Sequence, residues 1–129
     1  MRTDACDDRD VPGPVLIVDD DPPFLSLAAR ILRDLGIGDV VTAADAAPAI
    51  RAANATRPAA ALVDIGLPDR NGIDLAHELA RLPWQPRVVL TSTDRDAINA
   101  IASDGRTPLP FVPKDDLATA PLRRMLTSE

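Results

Sequence analysis

The sequence predicts a doubly wound α/β domain, in which helices cover both faces of a five-stranded parallel β-sheet. The chain has 129 residues and a hydrophobic fraction of 46%, which suits one domain with its own core. Five short apolar runs alternate with segments of helical periodicity, a pattern typical of strand–helix units. The runs have no polar side, so these strands must be buried on both faces, as they are in a parallel sheet.

The predicted elements follow one another without a linker or an internal repeat. The five strands are Val15–Val18, Val40–Thr42, Ala59–Val63, Arg87–Leu90 and Leu109–Val112. The five helices are Phe24–Leu35, Ala46–Asn54, Ile73–Leu82, Arg95–Ser103 and Leu117–Leu126. Asp21 suits the N-cap of the first helix and Gly36 its end. Pro121 falls inside the last helix, which we therefore expect to begin near that residue.

Residues 1–14 differ in composition from the rest of the chain. They contain four Asp, two Arg, two Pro and a Gly without apolar periodicity, which predicts a disordered or extended lead-in. The one cysteine, Cys6, lies in this segment and has no disulfide partner within the chain. We therefore expect the folded domain to span residues 15–127.

The composition argues against several classes of function. Twenty acidic against fourteen basic residues give a net charge of -6, which disfavours binding to nucleic acid phosphates or to anionic membrane surfaces. With two Phe, one Trp and no Tyr, the chain lacks aromatic platforms on which bases stack. No apolar run approaches the roughly 20 residues of a membrane span, and the acidic start is unlike a signal peptide. We expect a cytoplasmic protein that binds neither nucleic acid nor membrane.

Polar side chains follow four of the five predicted strands. Asp19 and Asp20 come after the first strand, Asp64 after the third, Thr91 after the fourth and Lys114 after the fifth. In doubly wound sheets, ligands bind beyond the carboxyl ends of the strands, which meet at one edge. We therefore expect three carboxylates, one hydroxyl and one ammonium group to converge there.

This set of groups suits phosphoryl chemistry. Three neighbouring carboxylates repel one another, and a hard divalent cation relieves the repulsion; Mg²⁺ is the usual choice where a phosphate shares the site. The metal, a lysine and a hydroxyl donor can together neutralise a phosphoryl group that moves in line onto a carboxylate. Asp64, on the central strand, is the candidate acceptor.

Taken singly, these residues have simpler explanations. The acidic run after the first strand can cap a helix, and Thr is common in strands. Lys114 is less easily explained in this way, because the other thirteen basic residues are all arginine. A compact ammonium on a flexible stem fits a phosphoryl pocket, whereas a planar guanidinium would crowd it. His77, the only histidine, is expected at the surface of its helix.

Four segments with these residues carry a family resemblance. They are Val15–Pro22 (VLIVDDDP), Leu62–Gly72 (LVDIGLPDRNG), Val88–Thr91 (VVLT) and Phe111–Lys114 (FVPK). In order and separation they resemble the receiver domain of response regulators in two-component signalling. The resemblance implies a flavodoxin-like sheet with strand order 2-1-3-4-5.

The resemblance also implies a metal site and an acceptor. Asp64 resembles the phospho-acceptor of the family. Asp19 and Asp20 resemble the acidic pair that serves Mg²⁺ or Mn²⁺, to which Asp64 and the backbone carbonyl of Gly66 would add further ligands.

Three other residues resemble the switch and the phosphoryl contacts. Thr91 resembles the hydroxyl that moves toward the phosphoryl group, and Lys114 the lysine that pairs with it. Phe111 resembles the aromatic residue that changes rotamer in concert, although taken alone it would be read as an ordinary core residue.

The resemblance implies a signalling protein rather than a turnover enzyme, and we expect a stand-alone response regulator. A histidine kinase or phosphotransfer protein would supply the phosphoryl group to Asp64. A downstream protein would bind the surface of the fourth helix, fifth strand and fifth helix, and a homodimer is also possible.

Some positions depart from the family pattern. Most members follow the lysine with proline, whereas here Pro113 precedes Lys114 and Asp115 follows it, which leaves the path of this loop open. Gly66 and Thr93 occupy the two positions whose side chains often tune the attack of water on the acyl phosphate. We expect Thr93 or partner proteins to govern the lifetime of the phosphoryl group.

Two other functions stay open at this point. A receiver fold can serve as a binding scaffold without phosphorylation. A phosphatase of the haloacid dehalogenase type also uses a strand-end Asp, and Asp19 and Asp21 have its Asp-x-Asp spacing. Pro23 departs from that second pattern, and the chain is short for it.

Overall fold

The computed structural model describes residues 14–37 and 39–127, and these form a five-stranded parallel sheet covered by helices. The strands are β1 (Val15–Val18), β2 (Val40–Ala43), β3 (Ala60–Asp64), β4 (Arg87–Ser92) and β5 (Phe111–Pro113). The helices are α1 (Pro22–Asp34), α2 (Ala46–Thr56), α3 (Gly72–Ala80), α4 (Ala97–Ser103) and α5 (Leu122–Leu126). The sheet order is β2-β1-β3-β4-β5, so the predicted doubly wound fold is confirmed.

The register of the strands places the polar residues side by side. β1 pairs with β3 so that Val18 lies opposite Val63, and Asp19 therefore follows at the same level as Asp64. β3 pairs with β4 so that Asp64 lies directly opposite Thr91. All four residues of β1 and all five of β3 are buried, as continuous apolar strands require.

Alternate residues of the strands feed two separate core layers. In β1, Leu16 and Val18 belong to the layer under α2, α3 and α4, whereas Val15 and Ile17 belong to the layer under α1 and α5. The first layer includes three buried alanines of α2, Ala46, Ala49 and Ala53. These small side chains allow α2 to lie close to the sheet.

The last part of the chain is less helical than the apolar periodicity alone predicts. A 3₁₀ helix, Lys114–Asp116, follows β5 directly, and α5 begins only at Leu122. Pro121 immediately precedes α5, which agrees with the expectation that this helix begins near the proline. At the other end of the domain, Asp21 occupies the N-cap of α1, but its side chain makes no capping hydrogen bond.

Two predictions concern features beyond the fold itself. The lead-in predicted for residues 1–14 lies, apart from Pro14, outside the described residues. Among the helices of the described parts of the chain, none combines the length and the apolar character needed to cross a membrane.

Candidate functional site

Four strand ends bring the predicted site residues to one edge of the sheet. Asp19, Asp64 and Thr91 are buried, with relative exposures of 0%, 7% and 0%. Asp20 is exposed, so the cluster opens to solvent on one side. Lys114 reaches the same place from the 3₁₀ helix after β5. The convergence expected from the sequence is therefore present in the fold.

Three carboxylates form the centre of this site. One oxygen each of Asp19, Asp20 and Asp64 lie within 4.8 Å of one another. Burial raises the pKa of Asp64, and the negative charge of Asp19 raises it further; Lys114 and the N–H of Gly66 act in the opposite direction. Clustered carboxylates with these properties fit a hard divalent cation, which relieves their repulsion and accepts oxygen ligands.

Lys114 is the positive group of the site. Its Nζ lies 2.6 Å from Oδ2 of Asp19 and 3.8 Å from Oδ2 of Asp64, and its side chain is 12% exposed. Pro113 has φ of -58° and ψ of 145°, and the chain then turns into the 3₁₀ helix that begins at Lys114. The loop whose path the sequence left open thus directs the lysine toward Asp64.

Thr91 contributes a hydroxyl that no neighbour satisfies. Its Oγ1 is buried and makes no hydrogen bond to any of the described residues. Buried hydroxyl groups are normally hydrogen-bonded, so an orphaned one facing a site is a candidate donor to a ligand. Thr91 lies opposite Asp64 in the sheet register, which places this hydroxyl next to the buried carboxylate.

The backbone after Asp64 is shaped by two glycines. The N–H of Gly66 donates to Oδ1 of Asp64 at 3.3 Å, and a Cβ at Gly66 would meet nothing within 4 Å. At Gly72 the situation is opposite, because a Cβ there would lie 2.0 Å from the backbone oxygen of Asp64 and 2.6 Å from Cα of Ile65. Gly72 therefore allows the start of α3 to lie against the backbone of Asp64 and Ile65.

Side chains anchor the loop between these glycines. Asp69 accepts hydrogen bonds from the N–H groups of Ala46 and Ala47, at 2.9 and 3.1 Å, and thus caps α2 from a distant part of the chain. These bonds lower the pKa of Asp69. Asn71 caps α3 by accepting from the N–H of Ile73 at 2.7 Å. The loop that follows Asp64 is held to two helices.

The other predicted site residues lie at the borders of this centre. Phe111 opens β5, opposite Leu90, and is partly buried against the core layer under α2, α3 and α4. Thr93 is exposed in the loop after β4. Arg95, in the same loop, pairs with Asp116 of the 3₁₀ helix at 3.0 Å and so links the two loops that follow β4 and β5.

The prediction that His77 lies at the surface is wrong, because this residue is buried, with an exposure of 9%. The segment after α4 folds over it, so that Nε2 of His77 lies 3.8 Å from Oδ2 of Asp104. Arg106 holds this segment, since it donates to both oxygens of Asp104 and to Oδ1 of Asp74 in α3. Burial lowers the pKa of His77, and the nearby Arg106 lowers it further.

One neighbour of the site could not be identified from the sequence. Phe24 is the first residue of the predicted first helix, and it belongs to the core layer under α1 and α5. Its ring also faces Lys114, whose Nζ lies 4.3 Å from the ring centroid. Helical spacing identifies Phe24 as buried but carries no information on this contact, because Lys114 is remote in the chain.

The family model of the response regulator receiver domain matches residues 15–109 of the chain. The DNA-binding response regulator MtrA of Mycolicibacterium smegmatis is 36% identical over 116 residues, covering 85% of this chain and 50% of MtrA. The transcriptional regulatory protein PdtaR of Mycobacterium tuberculosis is 36% identical over 104 residues, covering 80% of this chain and 50% of PdtaR. The chain spans about half the length of these curated relatives.

Solved structures show the same fold. A CheY-like response regulator receiver domain protein from Methanospirillum hungatei has a TM-score of 0.70 at 24% identity, over 88% of this chain and 93% of that chain. A LuxR-family two-component response regulator from Aurantimonas sp. also has a TM-score of 0.70, at 25% identity, over 83% of this chain and 78% of that chain.

The comparisons bear on one expectation from composition. MtrA is named as a DNA-binding protein, and this chain matches half of it. The exclusion of nucleic acid, which rested on the net charge and the few aromatic residues, is therefore not supported by the relatives.

Proposed function

Because this chain belongs to the response regulator receiver domain family, we propose that it accepts a phosphoryl group on Asp64 in a two-component phosphorelay. We assign the receiver unit to residues 15–127. The observation that supports the proposal is the position of Asp64, a buried carboxylate between two other carboxylates and the ammonium group of Lys114. The unsatisfied hydroxyl of Thr91 lies next to it in the sheet.

The acidic cluster fits Mg²⁺ or Mn²⁺. Asp19, Asp20 and Asp64 would hold the ion, together with the backbone carbonyl of Gly66. The ion supplies positive charge that neutralises phosphoryl oxygens and relieves the repulsion between the carboxylates. The orphaned hydroxyl of Thr91 is not needed for this ion and remains available to the phosphoryl group.

In the proposed transfer, a carboxylate oxygen of Asp64 forms a bond to phosphorus while the bond from phosphorus to a histidine nitrogen of the donor breaks. The electron pair of the broken bond stays on the donor imidazole. Lys114 lies 3.8 Å from Asp64 Oδ2 and neutralises part of the charge that accumulates there. Thr91 donates a hydrogen bond from its hydroxyl to the phosphoryl group. This bond would satisfy a hydroxyl that has no hydrogen-bond partner among the described residues.

The phosphorylated residue carries about -1.5 to -2 charges, and this change biases the domain between two arrangements. We propose that Thr91 and Phe111 move in concert and alter the surface formed by α4, β5 and α5. A histidine kinase or phosphotransfer protein would be the donor, and a downstream protein or a second copy of the chain would bind the altered surface. We also propose that the protein is cytoplasmic and that it acts as a signalling protein rather than as a turnover enzyme.

The test is incubation of the full chain with Mg²⁺ and a small phosphodonor, followed by intact-mass measurement. Wild-type protein is expected to gain the mass of one phosphoryl group, and Asp64→Asn is expected to gain none. Asp34→Asn is the matched control, since Asp34 is exposed in α1 and the substitution makes the same change in net charge. Lys114→Arg keeps the positive charge but not the shape of the ammonium, and should slow the reaction at least tenfold.

Two outcomes would contradict the proposal. If the wild-type chain takes up no phosphoryl group but still binds a partner protein, the scaffold function replaces it. If the chain instead releases phosphate repeatedly from a phosphomonoester, it is a phosphatase.

A further inference from the structure

Phe24 lies in the first turn of α1, where its ring faces the ammonium group of Lys114. The distance from Nζ to the ring centroid is 4.3 Å. Phe24 is 7% exposed and the Lys114 side chain 12% exposed, so both groups are largely shielded from water. A cation over an aromatic face is attracted by the ring quadrupole, and the attraction is stronger where water is excluded.

The three neighbours of the ammonium group differ in how they respond to ligands. Asp19, at 2.6 Å from Nζ of Lys114, belongs to the cluster that fits a divalent cation. A cation bound to Asp19 would weaken the electrostatic attraction between Asp19 and Lys114. Asp64, at 3.8 Å, is the proposed acceptor and changes its charge when it is modified. Of these three neighbours, only Phe24 offers an attraction that neither the metal nor the phosphoryl group alters.

The ring is also held in place by its surroundings. Phe24 is packed in the core layer under α1 and α5, and it follows two prolines that fix the start of the helix. Lys114, by contrast, has a flexible four-carbon stem whose ordering is entropically unfavourable. A fixed ring face beside the ammonium group reduces the number of positions that the lysine can sample.

We propose that Phe24 is a positioning residue for Lys114: its ring face keeps the ammonium group beside Asp64 when Asp19 is engaged by the divalent cation. The inference rests on the proposed function for its effect on phosphorylation. The contact itself can be tested without phosphorylation or metal.

The first measurement uses the fact that Lys114 is the only lysine of the chain. Protein labelled with ¹³C-lysine gives a single set of side-chain NMR signals, and a ring face close to Nζ shifts the Hε signals upfield. We expect this upfield shift in the metal-free wild type and in Phe24→Tyr, and its loss in Phe24→Leu. Leu32→Val is the matched control, because Leu32 is a buried residue of α1 roughly 12 Å further along the helix axis.

The second measurement is the rate of phosphorylation by a small donor at saturating Mg²⁺. Phe24→Leu is expected to lower this rate by roughly threefold to thirtyfold, or about 0.6–2 kcal/mol. Phe24→Tyr, which keeps the aromatic face, should stay within about threefold of the wild-type rate. Leu32→Val should retain the wild-type rate, since it removes core volume without touching the lysine.

A third set of variants guards against misfolding of Phe24→Leu. Phenylalanine analogues with one, two or three ring fluorines at residue 24 keep the shape of the ring but weaken its quadrupole stepwise. The rate should fall with each added fluorine. A wild-type Lys114 signal in Phe24→Leu, a rate independent of fluorination, or an equal loss of rate in Leu32→Val would each overturn the inference.

The two proposals fail in different ways. If the wild-type chain takes up no phosphoryl group, the proposed function is wrong, and the proposed role of Phe24 in phosphorylation falls with it. If the wild-type chain is phosphorylated and the Phe24 variants match it in both signal and rate, only the role of Phe24 is wrong.

Discussion

Replacement of Asp64 by Asn is expected to stabilise the metal-free domain. Asp64 is 7% exposed, and burial and the charge of Asp19 raise its pKa. A raised pKa means that the folded state holds the proton more tightly than the unfolded state, so stability falls as pH rises through this range. At neutral pH the ionised side chain therefore opposes folding, and a neutral side chain of the same shape removes that opposition.

The magnitude follows from the distances in the site. Oxygens of Asp19 and Asp64 lie within 4.8 Å, so two unit charges there repel by at least about 3.5 kcal/mol at an effective dielectric constant of about 20. The attraction between Lys114 and Asp64 at 3.8 Å is about 4.4 kcal/mol on the same scale. These terms nearly cancel, so desolvation of the carboxylate decides the sign. We expect Asp64→Asn to raise the free energy of unfolding by about 1–2 kcal/mol, or the Tm by roughly 4–8 °C.

The assay is thermal unfolding in EDTA and in increasing Mg²⁺, with Asp34→Asn as the control for net charge. A bound ion stabilises the folded wild type by about 2.7 kcal/mol at a concentration one hundred times its Kd. Asp64→Asn should lose most of this gain, because it removes one of three carboxylates, while Asp34→Asn should keep it. An Asp64→Asn protein that unfolds at a lower temperature than wild type in EDTA would refute the reasoning.

Two further predictions concern the surroundings of the site. Gly72→Ala should lower the free energy of unfolding, measured by urea unfolding, by about 2–4 kcal/mol, because the new Cβ meets backbone atoms that cannot move aside. In Gly66→Ala the new Cβ meets nothing, so this variant should stay within about 1 kcal/mol of wild type. Equal losses of stability in the two variants would contradict the steric argument. Stability should also fall as pH drops below about 6.5, because the lowered pKa of His77 lets the unfolded chain bind a proton that the folded chain excludes. Urea unfolding between pH 7.5 and 5.5 checks this, and an undiminished slope in His77→Gln would show that another group is responsible.

The fold was predictable because the features that determine it, such as apolar runs and prolines, lie within short segments of the sequence. An apolar run such as Val15–Val18 has no polar side, and this alone requires burial on both faces. Once the strands are parallel, the residues that follow them must share an edge, so Asp19, Asp64 and Thr91 could be grouped before any distance was known. Pro121 likewise marked the late start of α5 through its own backbone geometry.

What the sequence did not reveal depends on contacts between distant segments. Asp21 has the right position to cap α1 and yet makes no side-chain cap, whereas Asp69 caps α2 from the loop after β3. His77 has a polar side chain in an amphipathic helix, and its helical position does not reveal that the segment held by Arg106 lies against it. The helical pattern predicts Phe24 as a core residue. It cannot predict that Lys114, ninety positions later in the chain, lies over the ring of Phe24.

The proposed cation site links the stability of this domain to ligand binding. Asp19 and Asp64 are held close together by fully buried strands and by a loop anchored at Asp69 and Asn71, so they cannot separate to relieve their repulsion. The free energy that the repulsion removes from the metal-free fold is therefore regained when a cation binds. A substitution that loosens the anchored loop should lower the affinity for Mg²⁺ even where it leaves every carboxylate in place. The rigid surroundings of Asp64 thus contribute to the proposed site together with its carboxylates.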